Sequence, residues 1–330
     1  MKKILLLLAS VLLVASQAQA LRFLVNSDIH VSDGTHANYI LKSQQKPKML
    51  AYCQAHDDVE AILLCGDMTD SGYESNFATF SNEWLAPFAA LGIPVHMAYG
   101  NHDNYVDHWY DKKAVLEYIK KQEGDVRYSF DSGDIHFICC AQYPDGTGAG
   151  CDCLPCTWDT MKWLKKDLED VGTQMPVVIF CHFNLVGPFS DWWKGANKDA
   201  FYNVIKDYNI KCVFTGHLHD TFTQQWRGTI PTACVGGDYF AIGTYENGTF
   251  NVVFMNKDGV LKSWNDLLNN DYQELRSLPT TRNPGTQAEL TVGKILELEQ
   301  KIHALRMEQK QLEGSLERLQ SSVREKRKLS

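Results

Sequence analysis

The sequence predicts a layered α/β domain followed by a separate helical extension. Three observations predict it: short apolar runs alternating with helical patterns from about residue 21 to 275, a break carrying two prolines and a glycine at residues 278–286, and a heptad repeat beyond that break. Strands that alternate with helices are expected to build a sheet with helices packed on its faces.

The first twenty residues stand apart. Lys2 and Lys3 form a basic start, residues 4–15 a nearly unbroken apolar run, and Ala18-Gln19-Ala20 offers the small residues a signal peptidase requires. The run is roughly a dozen residues, against the ~20 of a spanning helix. A cleaved secretory signal over residues 1–20 is therefore expected rather than a membrane anchor, and with it a secreted or periplasmic protein. Leu21, not a cysteine, follows the expected cut, which argues against a lipid-modified start. Nothing later in the chain reads as transmembrane.

Strands are expected at 22–27, 60–65, 94–98, 135–140, 177–181 and 211–214, where short β-branched and aliphatic runs are bounded by turn residues. Ser132-Gly133 separates 127–131 from 135–140 as a hairpin would, and Asn256-Lys257-Asp258 does the same between 249–255 and 259–264. Helical patterns occupy 43–56, 74–90, 112–122, 158–170 and 198–207. Residues 276–287 read as a linker.

The extension, residues 288–330, differs in kind. Ile295, Ile302, Leu316 and Val323 recur at multiples of seven, with Gln309 in the vacant step, and Leu298, Leu305, Leu312 and Leu319 follow three residues on. That is a coiled-coil pattern ending in a basic tail, with homo- or hetero-oligomerisation through 288–326 as its consequence. The alternative is one amphipathic helix packed on the preceding domain. A parallel homodimer would face Lys301 with Arg306 and Glu308 with Glu313, so orientation and partner stay open.

The formal charge of −8, more negative by two once Lys2 and Lys3 are removed, counts against a duplex nucleic-acid partner. A small phosphoester fits better. Of the ten cysteines, Cys65, Cys139, Cys140, Cys181, Cys212 and Cys234 fall in or at the ends of apolar runs and read as small buried residues. Cys151, Cys153 and Cys156 crowd a Gly/Pro-rich loop and are the disulfide candidates.

Five short constellations carry the chemistry: Asp28-Ile29-His30, Gly66-Asp67, Gly100-Asn101-His102-Asp103, His182, and Gly216-His217-Leu218-His219. Each follows the carboxyl end of an expected strand, the edge where open α/β sheets bind ligands. In an extended segment, side chains at i and i+2 point the same way, which would aim Asp28 with His30 and His217 with His219 into one site. The glycines would let the backbone turn sharply there and approach a ligand closely. Imidazole, carboxylate and amide donors together suit Fe, Mn, Zn or Co. Seven such groups suit two ions sharing a carboxylate, the clamp used for displacement at phosphorus.

The ordered set D-x-H, G-D, G-N-H-D, H and G-H-x-H resembles the calcineurin-like metallophosphoesterase superfamily over residues 21–265. The resemblance implies a four-layer α/β/β/α sandwich and a dinuclear centre of divalent or mixed-valence transition metals. Asp28, His30, Asp67 and His219 would hold one ion, and Asp67, Asn101, His182 and His217 the other. A hydroxide shared by the two would attack phosphorus. His102 would protonate the leaving oxygen, with Asp103 orienting its ring. The purple acid phosphatase branch carries a Tyr where this chain has Asp70; the stretch 66–72 is closer to cyclic-nucleotide phosphodiesterases. That favours a phosphodiester over a monoester.

Trp192-Trp193, the loop 142–157 and His36 are expected near the pocket, the tryptophans either stacking on substrate or packing in the core. Asn247-Gly248-Thr249 fits a glycosylation acceptor. Two other functional readings compete: a binding or scaffold protein that keeps the fold without catalysis, and an exported nuclease or nucleotidase of the same superfamily.

Overall fold

A computed structural model of the chain describes residues 20–32, 36–106, 109–110, 113–140, 142–144, 153–155, 158–193 and 195–276. The expected signal segment up to residue 19, and the linker and coiled coil beyond Arg276, lie outside the described residues. So do the cysteines Cys151 and Cys156 and most of the loop 142–157.

In chain order the elements are β1 (Leu21–Asn26), α1 (Ala37–Ala55), β2 (Val59–Cys65), α2 (Glu74–Phe80), α3 (Ala86–Ala89) and β3 (Val95–Ala98). Two short strands follow, β4 (Tyr105–Val106) and β5 (Trp109–Tyr110), then α4 (Lys113–Glu123), β6 (Tyr128–Ser132) and β7 (Ile135–Cys139). A second small hairpin, β8 (Gln142–Pro144) with β9 (Cys153–Pro155), leads to α5 (Trp158–Val171), β10 (Val177–Phe180), α6 (Gly195–Ile205) and β11 (Ile210–Thr215). The run ends with β12 (Thr221–Trp226), β13 (Ile230–Val235), β14 (Tyr239–Glu246), β15 (Thr249–Asn256) and β16 (Leu261–Ser263).

Two six-stranded sheets form, in the orders β16-β15-β14-β1-β2-β3 and β12-β13-β11-β10-β7-β6. Phe23, Val25, Leu63 and Ala241 of the first meet Phe137, Val178, Phe180 and Phe214 of the second in a common core. Alternate residues of the same strands face outward. Leu24, Ile62, Leu64 and Ile242 pack under α1 to α4, and Ile138, Ile179 and Val213 pack under α5 and α6. The result is four layers, helix on sheet on sheet on helix. Strands buried on both faces read as continuous apolar runs, which is why β2, β7 and β10 were legible.

Three features differ from the sequence expectation. Helix α1 begins at Ala37, six residues before the predicted start, because its core face carries the buried polar side chains Asn38, Lys42 and Gln45, which break the apolar stripe. The predicted helix 74–90 runs through a π-turn at Ser81–Leu85. Strands β12, β13 and β14 were not foreseen. Thr223, Gln224 and Thr232 are buried polar residues within them, and Pro231 lies inside β13. That proline lies opposite Gln225 of β12 and precedes the stretch, from Thr232 onward, over which β13 pairs with β11.

Cys53, Cys65, Cys139, Cys140, Cys181, Cys212 and Cys234 are buried free thiols. No helix among the described residues is long and apolar enough to cross a membrane.

Candidate metal centre

β1, β2 and β3 run parallel to one another, as do β7, β10 and β11. The five constellations therefore leave their sheets at carboxyl ends, and the loops interlock. Asp28 N donates to Gly66 O at 3.0 Å and His30 N to Asp67 O at 3.0 Å, while Gly216 N donates to His182 O at 2.8 Å.

The backbone reaches these positions differently from the extended geometry expected. Asp28, His30, Asp67, His217 and His219 all adopt left-handed φ values, between 49° and 73°. Within each D-x-H or H-x-H triplet the middle residue, Ile29 or Leu218, is buried in the core, and the flanking left-handed residues turn their side chains to the site. Each such residue costs about 1 kcal/mol, and strain of this kind concentrates where surrounding structure enforces a functional geometry. Gly66 has φ +87°, as a sharp turn requires. Gly100 and Gly216 serve by close approach instead: a β-carbon would overlap the Asp67 carboxylate at the first and Ser27 and Asp28 at the second.

The side chains form two groups that share Asp67. Asp28, His30, Asp67 and His219 bring one donor atom each within 4.8 Å of one another, and so do Asp67, His182 and His217. In the first group His30 Nε2 and His219 Nε2 are 2.9 Å apart, and His219 Nε2 is 3.5 Å from Asp28 Oδ1. Asp67 Oδ2 lies 3.6 Å from His30 Nε2 and 3.3 Å from His182 Nε2, so one oxygen faces both groups. Its partner, Oδ1, accepts the His102 backbone N–H at 2.9 Å. Asn101 Oδ1 is 2.9 Å from His182 Nε2, which places the amide beside the second group.

This donor set fits a pair of cations. Burial drives the His30 imidazole down to about 4 and His217 and His219 well below their ordinary value, so each is held in the neutral form that binds metal. His182 Nδ1 is 2.8 Å from Cys65 O, which places its proton there and leaves Nε2 to face the site. Burial also lowers the His182 pKa, but the Asp67 carboxylate outweighs it and lifts the imidazole to about 9. Burial pushes the Asp28 carboxyl up to about 6, with Asp67 adding repulsion. A cation between Asp28 and Asp67 would relieve this repulsion.

His102 stands against the first group, its ring 4.5 Å from that of His30, and clusters with His30 and Asp70. Its orienting partner is not Asp103, as the sequence suggested, but Asp70: His102 Nδ1 is 3.0 Å from Asp70 O and 3.4 Å from Asp70 Oδ1. Burial lowers the His102 pKa, but Asp67 and Asp70 together raise it to about 10. Asp103 points the other way. Its buried carboxylate accepts Thr69 N (2.8 Å), Thr69 Oγ1 (2.9 Å), Gly100 N (2.8 Å) and Met68 N (3.3 Å), pinning the Asp67 loop to the Asn101 loop. Asp70 Oδ1 also lies 3.3 Å from His30 Nδ1 and 3.6 Å from His36 Nε2, and the His36 ring stacks on His30 at 4.4 Å. A carboxylate three residues past Asp67, in the same ligand loop, was the sequence signal for this role. Trp193 is fully buried against Phe201 and is a core residue.

Residues 21–221 match the family model of calcineurin-like phosphoesterases. The chain belongs to the calcineurin-like phosphoesterase family. This phosphoesterase is similar in fold to a dimetal phosphatase from Danio rerio, at 13% identity and TM-score 0.58, covering 75% of this chain and 99% of that one. It is also similar to a purple acid phosphatase from yellow lupin seeds (15% identity, TM-score 0.54, 82% of this chain and 58% of that one). A third similar fold is the anchor in the inner membrane complex of Plasmodium, with 11% identity, TM-score 0.51, and 81% and 99% covered. No curated protein sequence matches this phosphoesterase.

Proposed function

We propose that the chain is an exported hydrolase of small phosphoesters, acting on diesters in preference to monoesters with two transition-metal ions, Fe, Mn, Zn or Co, in the centre. The observation that carries this reading is the pair of ligand groups sharing Asp67, with the His102 ring beside His30 and its backbone N–H on the shared Asp67. Asp28, His30, Asp67 and His219 would hold one ion; Asp67, Asn101, His182 and His217 the other. When bound, such a pair supplies Lewis acidity and acidifies water.

The chain's own residues supply the rest. A His102 Nδ1–H directed at Asp70 O leaves Nε2 to pass a proton to the departing oxygen, and the Asp70 carboxylate favours the charged ring. The acidic balance of the chain favours a singly charged diester over a dianionic monoester, and argues against a nuclease acting on duplexes. The fold is shared with a protein known as an anchor, so a non-catalytic role is the second reading. The full ligand set with His102 favours the enzyme.

His102→Ala tests the reading. With a poorly activated diester, turnover is expected to fall about 10²–10⁴-fold while metal content stays at the wild-type level. Full activity of the variant on that substrate would remove His102 from the mechanism.

A further inference from the structure

After β16 the chain returns across the second sheet as an irregular segment, residues 269–276, that the catalytic reading does not use. It is firmly attached. Asn269 N donates to Thr223 O at 3.0 Å, and Gln224 Nε2 donates to Tyr272 O at 2.7 Å. Glu274 receives Trp226 Nε1 at 2.8 Å and a two-pronged Arg227 guanidinium at 2.8 and 2.7 Å. The buried ammonium of Lys198 donates to Leu275 O at 2.5 Å.

Between these anchors the segment touches both loops that carry histidine ligands from the second sheet. The Tyr272 hydroxyl donates to Asp220 Oδ2 at 3.0 Å, next to His219. Its ring stands edge-on to Phe222 at 4.9 Å and covers Gly187, where a β-carbon would overlap it and touch Leu218. Leu218 is the residue between His217 and His219. Gln273 O accepts Gly187 N at 2.8 Å, five residues past His182 in the other loop. His217 and His219 hold left-handed backbones, which persist only where their surroundings enforce them. Tyr272 lies against both loops, at Asp220 and at Gly187.

We propose that residues 269–276 are a strap that fixes the 182–190 and 216–220 loops in their metal-binding conformation, with Tyr272 as a positioning residue. This rests on the metal centre proposed above. Tyr272 acts through Leu218 and Asp220 and does not itself reach a metal.

The test uses the full chain and Mn²⁺ alone as probe. Free Mn²⁺ is followed by electron paramagnetic resonance, together with the exchange-coupled signal of a two-ion site. For Tyr272→Leu the affinity is expected to fall about tenfold and the coupled signal to weaken. Tyr272→Phe, which keeps the ring and loses only the hydroxyl, is expected to fall in between, with a metal-free melting temperature within about 2 °C of wild type. If Tyr272→Leu binds two Mn²⁺ with wild-type affinity and signal, whatever its melting temperature, the strap proposal is overturned. Should that variant not fold, Tyr272→Phe decides, and unchanged affinity overturns the proposal. A wild-type chain that binds no Mn²⁺ would overturn the metal centre and the strap together, an outcome distinct from a wild-type-like variant.

Discussion

Asp70 faces the His102 ring while Asp103 ties two loops together, and substitution separates the two carboxylates. Asp103 is fully buried and accepts four donors, three of them within 2.9 Å. Asp103→Ala would leave those donors dry and unpaired, each costing about 1–3 kcal/mol. Repulsion from Asp67 offsets part of this; after burial it is the second cause that holds the Asp103 carboxyl up at about 6. The low end of the range applies, about 3–5 kcal/mol, a large fraction of a domain's ~5–15 kcal/mol. In a domain of this size that lowers the melting temperature by about 6–20 °C. Asp70 is one-third exposed, and Asp70→Asn is expected to lower kcat about 10–100-fold with a melting temperature within about 3 °C of wild type. Thermal melts and steady-state kinetics on the two variants decide the matter. If Asp103→Ala melts like wild type and loses only kcat, while Asp70→Asn is fully active, the assignment drawn from the hydrogen bonds is wrong.

Two further perturbations follow from the geometry. Gly100→Ala puts a methyl group into the Asp67 carboxylate, so metal bound per chain, read by elemental analysis, should drop below half of wild type even where circular dichroism is unchanged; full occupancy would contradict the close-approach argument. His136 bridges Asp131 at 2.6 Å and Asp167 at 2.9 Å. Burial lowers its pKa, but the two carboxylates outweigh burial and leave it raised. A raised folded-state pKa means the stabilisation is complete below the unfolded value of about 6.5 and fades as pH rises through the folded value. His136→Gln should therefore cost about 1 kcal/mol at pH 5.5 and progressively less in alkaline buffer. A denaturation gap that widened with pH would contradict the sign.

What the sequence made legible follows from how each residue is buried. The ligand residues could be found because each of the five constellations sits at a strand end, and β1, β2, β3, β10 and β11 are apolar enough to be recognised as strands. The means by which Asp28, His30, His217 and His219 point inward could not be found, because Asp and His adopt left-handed φ values only a small part of the time, too weak a preference to mark single positions. Asn247-Gly248 shows the converse. Read as a glycosylation acceptor, it is also the turn between β14 and β15, with φ of 50° and 78°, and Asn-Gly is the strongest short hairpin signal there is. Asp103 was assigned to His102 through the family resemblance, whereas its hydrogen bonds join two loops 34 residues apart. Contacts of that kind, like the Tyr272–Asp220 bond, exist only once both sheets are assembled.

The most direct test of the central claim is the metal content of the purified chain, measured together with its turnover of a diester before and after chelation. Two transition-metal ions per chain are expected, with loss of turnover when they are stripped and recovery when they are restored. Fewer than one ion bound at saturating metal, with diester turnover indifferent to the chelator, would contradict it.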